Sequence, residues 1–172
     1  MRIFIPATMS MLGTLVEDGE MPVRSGTAFA ATPALVESYS EGDSEEIEHA
    51  AFKEAALASL RLLEAEGVGG ESPQTAPRRV VVSVDLPEGE YTLRPDLDTA
   101  VVRLETPRVA NPVLRAVHVD MESNAELVVK AAAVIDEADL GDEDAELVVG
   151  DALDAELAWF DPVELPFLVE LG

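Results

Sequence analysis

The sequence predicts an α+β fold, in which a mixed or antiparallel sheet of four or five strands packs with amphipathic helices as a two-layer sandwich. One long helical pattern spans residues 43–67, three strand-like runs follow between residues 80 and 119, and proline-containing turns separate those runs. With 172 residues, 48% of them hydrophobic, the chain can bury one substantial core. We therefore expect a single globular domain over residues 1–172.

The N-terminal quarter reads as strand, helix, strand, helix. Residues 2–5 form a short apolar run, a helix is expected from Thr8 to just before Gly19, and residues 26–31 are extended. Thr32 is then suited to cap a short helix whose first residue is Pro33, because the missing N–H of proline costs nothing there.

The clearest helix begins with the Asp-x-x-Glu spacing of a capping box at Asp43 and ends at Gly67. Its expected buried face consists of small and aliphatic residues at helical spacing: Ile47, Ala51, Ala55, Ala58 and Leu62. Residues 68–77 are rich in Gly, Ser and Pro, which predicts a mobile loop.

Three strands are expected at residues 80–84, 100–104 and 114–119. The first is apolar on both faces apart from Ser83, which indicates an inner strand covered by helices.

The last third predicts two more helices and a tail. Ser123 and Glu126 have the spacing of a capping box, which predicts the start of the first helix. The second helix is expected over residues 142–158. Residues 159–172 are expected to pack back on the domain as an extended C-terminal clasp.

Charge sets the strongest limit on function. The formal net charge is -24, and residues 122–172 contain 15 acidic residues and one basic residue. Such a field repels phosphate backbones, which disfavours nucleic acid as a ligand. The acidity is explained by solubility alone, by the base composition of the genome or adaptation to salt, or by a protein partner with a basic surface. Because cysteine is absent and no apolar run reaches the length of a membrane span, we expect a cytoplasmic protein that does not insert into membranes.

The strand at 114–119 carries the candidate binding residues. Alternation places His118 and Asp120 on one face, where the carboxylate would orient the imidazole. Arg115, or another arginine of the nearly neutral segment 77–121, would bind an anionic substrate. The simpler interpretation is a strand-end histidine satisfied by its neighbours. No nucleophile in a recognisable setting accompanies the pair, so the catalytic residues are not identified.

Metal and cofactor motifs are incomplete. Glu46 and His49 have the Glu-x-x-His spacing of di-iron bundles, but no second such motif exists, so a solvated helix face is the simpler interpretation. The acidic run at 136–146 fails the EF-hand pattern, because Leu147 stands where the loop needs glycine. We expect no metal site and no cofactor.

Five segments resemble a family of uncharacterised actinobacterial proteins of similar length. They are FIPAT at 4–8, FAATPAL at 29–35, AVHVD at 116–120, DLGDEDA at 139–145 and ELP at 164–166. The resemblance implies a high-GC bacterial cytoplasm and one domain, but no activity.

Two functions of different classes follow. The first is a protein-interaction or regulatory module without catalysis, suggested by the acidic C-terminal third. The alternative is a small hydrolase or metal-assisted enzyme that uses His118 and Asp120. The sequence leaves the oligomeric state open.

Overall fold

A computed structural model describes residues 1–171, in which nine strands and six α-helices are formed. The strands are β1 (Arg2–Ala7), β2 (Glu20–Pro22), β3 (Thr27–Ala30), β4 (Val80–Asp85), β5 (Tyr91–Leu93), β6 (Val101–Leu104), β7 (Arg108–Ala110), β8 (Leu114–Asp120) and β9 (Leu157–Phe160). The helices are α1 (Met9–Asp18), α2 (Pro33–Ser38), α3 (Ser44–Ala65), α4 (Ala125–Asp139), α5 (Glu143–Asp154) and α6 (Leu165–Leu171). The predicted α+β class is confirmed.

The main sheet is antiparallel throughout and has seven strands in the order β5-β6-β3-β1-β4-β8-β9. A separate two-stranded ribbon pairs β2 with β7. The expected count of four or five strands was wrong, because β5 has only three residues and β9 lies across the expected end of a helix and the start of the expected tail. The inner position predicted for residues 80–84 is confirmed, since β4 lies between β1 and β8.

Helices cover both faces of the sheet, so the two-layer arrangement was also wrong. Val80, Val82 and Val84 of β4 lie in one core cluster with residues of α1 and α6, whereas Val81 packs with residues of α3 on the opposite face. Beyond α3, helices α4 and α5 form a further cluster with its C-terminal half. A strand that is apolar on both faces needs cover on both sides, and this arrangement supplies it.

Local capping interactions set the starts of the helices. The side chains of Thr8, Thr32, Asp43 and Asp142 each accept a hydrogen bond from a main-chain N–H of the first turn. On α3 the predicted face is buried at Ile47, Ala51, Ala55 and Leu62, whereas Ala58 is half-buried.

The loop at 68–77 is irregular, as expected, but its first residues are packed. Val68 is buried in the cluster with α4, and a Cβ on Gly69 would come within 2.8 Å of the main-chain nitrogen of Ala133. The mobility of the rest of the loop remains a prediction.

The C-terminal third differs most from expectation. A 3₁₀ turn over residues 122–124 precedes α4, and the capping box predicted at Ser123 is not formed. Helix α5 ends at Asp154, and the chain continues as β9 at the edge of the sheet. The tail is therefore a strand and a helix instead of an extended clasp; Gly172 lies outside the described residues. None of the helices within residues 1–171 is long and apolar enough to span a bilayer.

Candidate functional site

A cavity of about 580 Å³ opens between α3, the end of α5 and the adjoining ends of β8 and β9. One helix supplies much of its wall at spacings of three and four residues, which place side chains on one face of α3. These residues of α3 are Glu45, Glu48, His49, Phe52, Lys53 and Ala56. They lie beside the stripe that packs on the sheet, so a single helix builds both the core and the pocket wall.

Phe52 is the centre of an aromatic wall. The Phe4 ring meets it edge-on at a centroid distance of 5.7 Å, and the His118 ring meets it edge-on at 4.8 Å. His49 lies nearly parallel to it at 6.0 Å. The ring faces of such a wall attract cations.

His118 reaches this wall from β8. Its Nε2 lies 3.1 Å from the Oγ of Ser83 on the neighbouring strand β4. Burial lowers the pKa of His118 to about 4, and the positive charge of Arg2 acts in the same direction. The imidazole is therefore neutral at neutral pH, and it contributes a polar aromatic edge without adding charge.

A buried ion pair lies behind the wall of the pocket. Arg79, which is fully buried, donates from Nε and Nη2 to the two carboxylate oxygens of Asp120 at 2.8 Å each. The main-chain N–H of Arg79 donates to the same carboxylate, and Asn124 adds a fourth donor at 3.1 Å. The guanidinium also donates to the main-chain oxygen of Ala155, where α5 ends.

One nitrogen of that guanidinium is an unpaired hydrogen-bond donor. The Nη1 of Arg79 is buried and has no hydrogen-bond partner among the residues that the structure describes. Arg79 lines the pocket although it is inaccessible from outside. Such an unpaired buried donor lowers stability, and because the side chain is inaccessible a ligand bound in the pocket does not reach it.

The rim of the pocket is acidic. Glu45, Glu48, Asp154 and Glu156 stand around it with Lys53 as the single rim cation. Within residues 1–171 none of these five side chains forms a salt bridge. Since Arg79 and Asp120 neutralise each other, the pocket has an excess of negative charge that favours a positively charged ligand.

The structure separates the three residues predicted to act together. His118 lines the pocket, Asp120 lies behind the wall as the partner of Arg79, and Arg115 pairs with Asp85 away from the pocket. The expected orientation of His118 by Asp120 was wrong: the carboxylate is occupied by Arg79 and Asn124, and the imidazole contacts Ser83.

Sequence reasoning missed Arg79 and Phe52, and it interpreted His49 only as part of a solvated face. His49 is indeed exposed, but it also lines the pocket. The available signal was the position of Arg79 directly before a wholly apolar strand, since an arginine there needs a buried partner. No group of three His, Asp or Glu side chains is arranged to hold a metal ion in the part of the chain described.

Comparison with known proteins places the chain in a family. Searches of curated proteins and of solved structures find no match. The family model of DUF6912, a family of unknown function, matches residues 1–169 and so covers both the fold and every residue of the pocket. The chain therefore belongs to the DUF6912 family.

Proposed function

We propose that this protein is a protein-interaction or regulatory module without catalysis, and that its pocket binds a positively charged side chain of a basic partner protein. The observation that carries the proposal is an aromatic wall around Phe52 beneath an acidic rim. An arginine or lysine side chain complements both, because ring faces and carboxylates attract the same cation.

The rim carboxylates give specific binding only if they contact the ligand directly. Glu48 lies on α3 and Glu156 directly precedes β9, and neither forms a salt bridge among the described residues. The net charge of -24 adds a long-range attraction for any cation, which salt screens within about 10 Å at 0.1 M ionic strength. Specific binding in the pocket must therefore be distinguished from non-specific attraction of cations by the net charge.

The proposal is tested with a matched pair of ligands and a matched pair of variants. The ligands are acetyl-Gly-Arg-Gly-amide and its citrulline analogue, which has the same shape without the charge. Calorimetry and the fluorescence of Trp159, the only tryptophan of the chain, report binding. We expect saturable binding of the arginine peptide and at least about tenfold weaker binding of the citrulline peptide, a difference of about 1.4 kcal/mol.

The protein variants separate local from global charge. Glu48→Gln with Glu156→Gln should weaken binding several-fold, whereas Glu71→Gln with Glu137→Gln, which removes the same charge elsewhere on the surface, should leave it nearly unchanged. Equal losses in the two double variants, or no saturable binding at low salt, would contradict the proposal.

The alternative is a small hydrolase or metal-assisted enzyme that uses His118 and Asp120. The contact between His118 and Ser83 is the observation in its favour, since a serine beside an imidazole is the start of a nucleophilic pair. It is the weaker proposal, because Ser83 is 1% exposed and the carboxylate of Asp120 is bound to Arg79. A broad substrate screen in which His118→Ala abolishes an activity of the wild-type protein would favour it.

A further inference from the structure

We propose that the partner is an extended basic segment that adds to the sheet as an antiparallel strand along β9. The inference rests on the proposed function, because it names the form in which the basic side chain reaches the pocket. Strand β9 (Leu157–Phe160) is an edge of the seven-stranded sheet, and within residues 1–171 no strand pairs with its outer side. An open edge offers main-chain groups to another strand.

The register identifies which main-chain groups face outward. The N–H of Asp120 donates to the main-chain oxygen of Arg79, toward β4, so alternation directs the N–H groups of Val117 and Val119 toward β9. Those two residues lie opposite Phe160 and Ala158. The remaining residues of β9, Leu157 and Trp159, therefore direct their N–H and C=O groups away from the sheet, where an added strand would pair.

This edge is continuous with the pocket. Leu157 lies opposite Asp120 and Trp159 lies opposite His118, so both side chains are on the pocket face of the sheet. Leu157 also lines the pocket, and Trp159 is 59% exposed beside it. A residue added opposite Leu157 would place its side chain over the pocket, and the residue two positions along would lie beside Trp159.

The chemistry of the edge favours basic residues at those alternate positions. Asp154 and Glu156 precede β9 and Asp161 follows it, so a segment lying along the strand meets carboxylates at both ends. The exposed indole of Trp159 is the best ring for a cation.

The test compares peptides of equal composition. Acetyl-Val-Arg-Val-Arg-Val-amide has both arginines on one face of a strand, and acetyl-Val-Val-Arg-Arg-Val-amide has them on opposite faces. We expect the alternating peptide to bind the full-length protein at least about tenfold more tightly, because only that peptide places both arginines on the pocket face of an added strand. The amide protons of Leu157 and Trp159 should become protected from exchange in the complex.

Main-chain methylation gives the decisive control. In the antiparallel arrangement the two arginines of the alternating peptide lie opposite Leu157 and Trp159. Their main-chain N–H groups donate to β9, whereas those of the valines point away from it. N-methylation of the arginines should abolish the tenfold gain, whereas N-methylation of the valines should preserve it. Equal effects of the two methylations, or equal binding of the two sequences, would overturn strand addition.

The outcomes distinguish this inference from the proposed function. If the glycine-flanked arginine peptide binds at the pocket but the alternating peptide binds no better, the pocket proposal stands and strand addition is wrong. If neither the glycine-flanked nor the alternating peptide binds, the proposed function is wrong, and strand addition is wrong with it.

Discussion

At the scale of single residues, the Arg79–Asp120 pair is the most constrained feature of the molecule. Both side chains are at most 2% exposed, and the carboxylate accepts hydrogen bonds from four donors. The pair joins the start of β4 to the end of β8, and Arg79 and Asn124 extend it to the main chain of Ala155 and Glu156. It therefore holds the end of α5 and the start of β9 in place beside the pocket.

Replacing one member of this pair should be far more damaging than replacing both. Arg79→Met leaves the charge of Asp120 buried without compensation, which should lower the free energy of unfolding by about 3–5 kcal/mol in urea titrations at pH 7. Adding Asp120→Leu should recover part of that loss. The control Arg115→Met removes an exposed ion pair with Asp85 and should cost less than about 1 kcal/mol. Similar losses for Arg79→Met and Arg115→Met would show that the buried pair adds nothing.

At the scale of elements, α3 serves two surfaces at once. Ile47, Ala51 and Ala55 pack against Phe4 and Val81 of the sheet, while an adjacent stripe of the same helix forms the pocket wall. The alanines let the helix approach the sheet closely, because a larger side chain needs space that the interior lacks. Any displacement of α3 from the sheet should therefore also change the shape of the pocket.

Ala55→Leu tests this close approach. Ala55 is fully buried, so the added volume should destabilise the protein by about 1–3 kcal/mol through overpacking. Ala65→Leu introduces the same side chain at an exposed position of the same helix and should change stability by less than about 0.5 kcal/mol. Thermal unfolding measures both variants, and equal melting temperatures for Ala55→Leu and wild type would place the core on another face of α3.

At the scale of the whole molecule, three core clusters are joined through shared elements. One lies on the α1 and α6 face of the sheet, one lies between the sheet and the N-terminal half of α3, and one lies between the C-terminal half of α3 and the α4–α5 pair. Because the sheet contributes to the first two clusters and α3 to the last two, none can be lost without exposing its neighbour.

We therefore expect residues 1–172 to unfold in one cooperative transition, as a single domain would. Calorimetry should give equal calorimetric and van't Hoff enthalpies. Two resolved transitions, with early loss of amide protection in α4 and α5, would show instead that the α4–α5 pair is a separate folding unit.

The correctly predicted features are local ones. The caps at Thr32 and Asp43, the helix starts at Thr8 and Asp142 and the buried face of α3 depend on residues within a few positions, so the sequence pattern predicted them. The inner position of β4 was predicted from its apolar residues on both faces. His118 was found from the alternation of side chains along the strand at 114–119.

The features that the sequence pattern could not predict depend on pairing between residues that are far apart in the chain. The strands β5 and β9 have three and four residues and exist because a neighbouring strand completes their hydrogen bonds. Alternation placed His118 and Asp120 on one face, but it could not show that Arg79, 41 residues away, binds the carboxylate. The pocket likewise joins α3 to the α5–β9 junction about a hundred residues later. A local pattern cannot predict such a site, because the free energy that assembles it comes from burial of the whole fold.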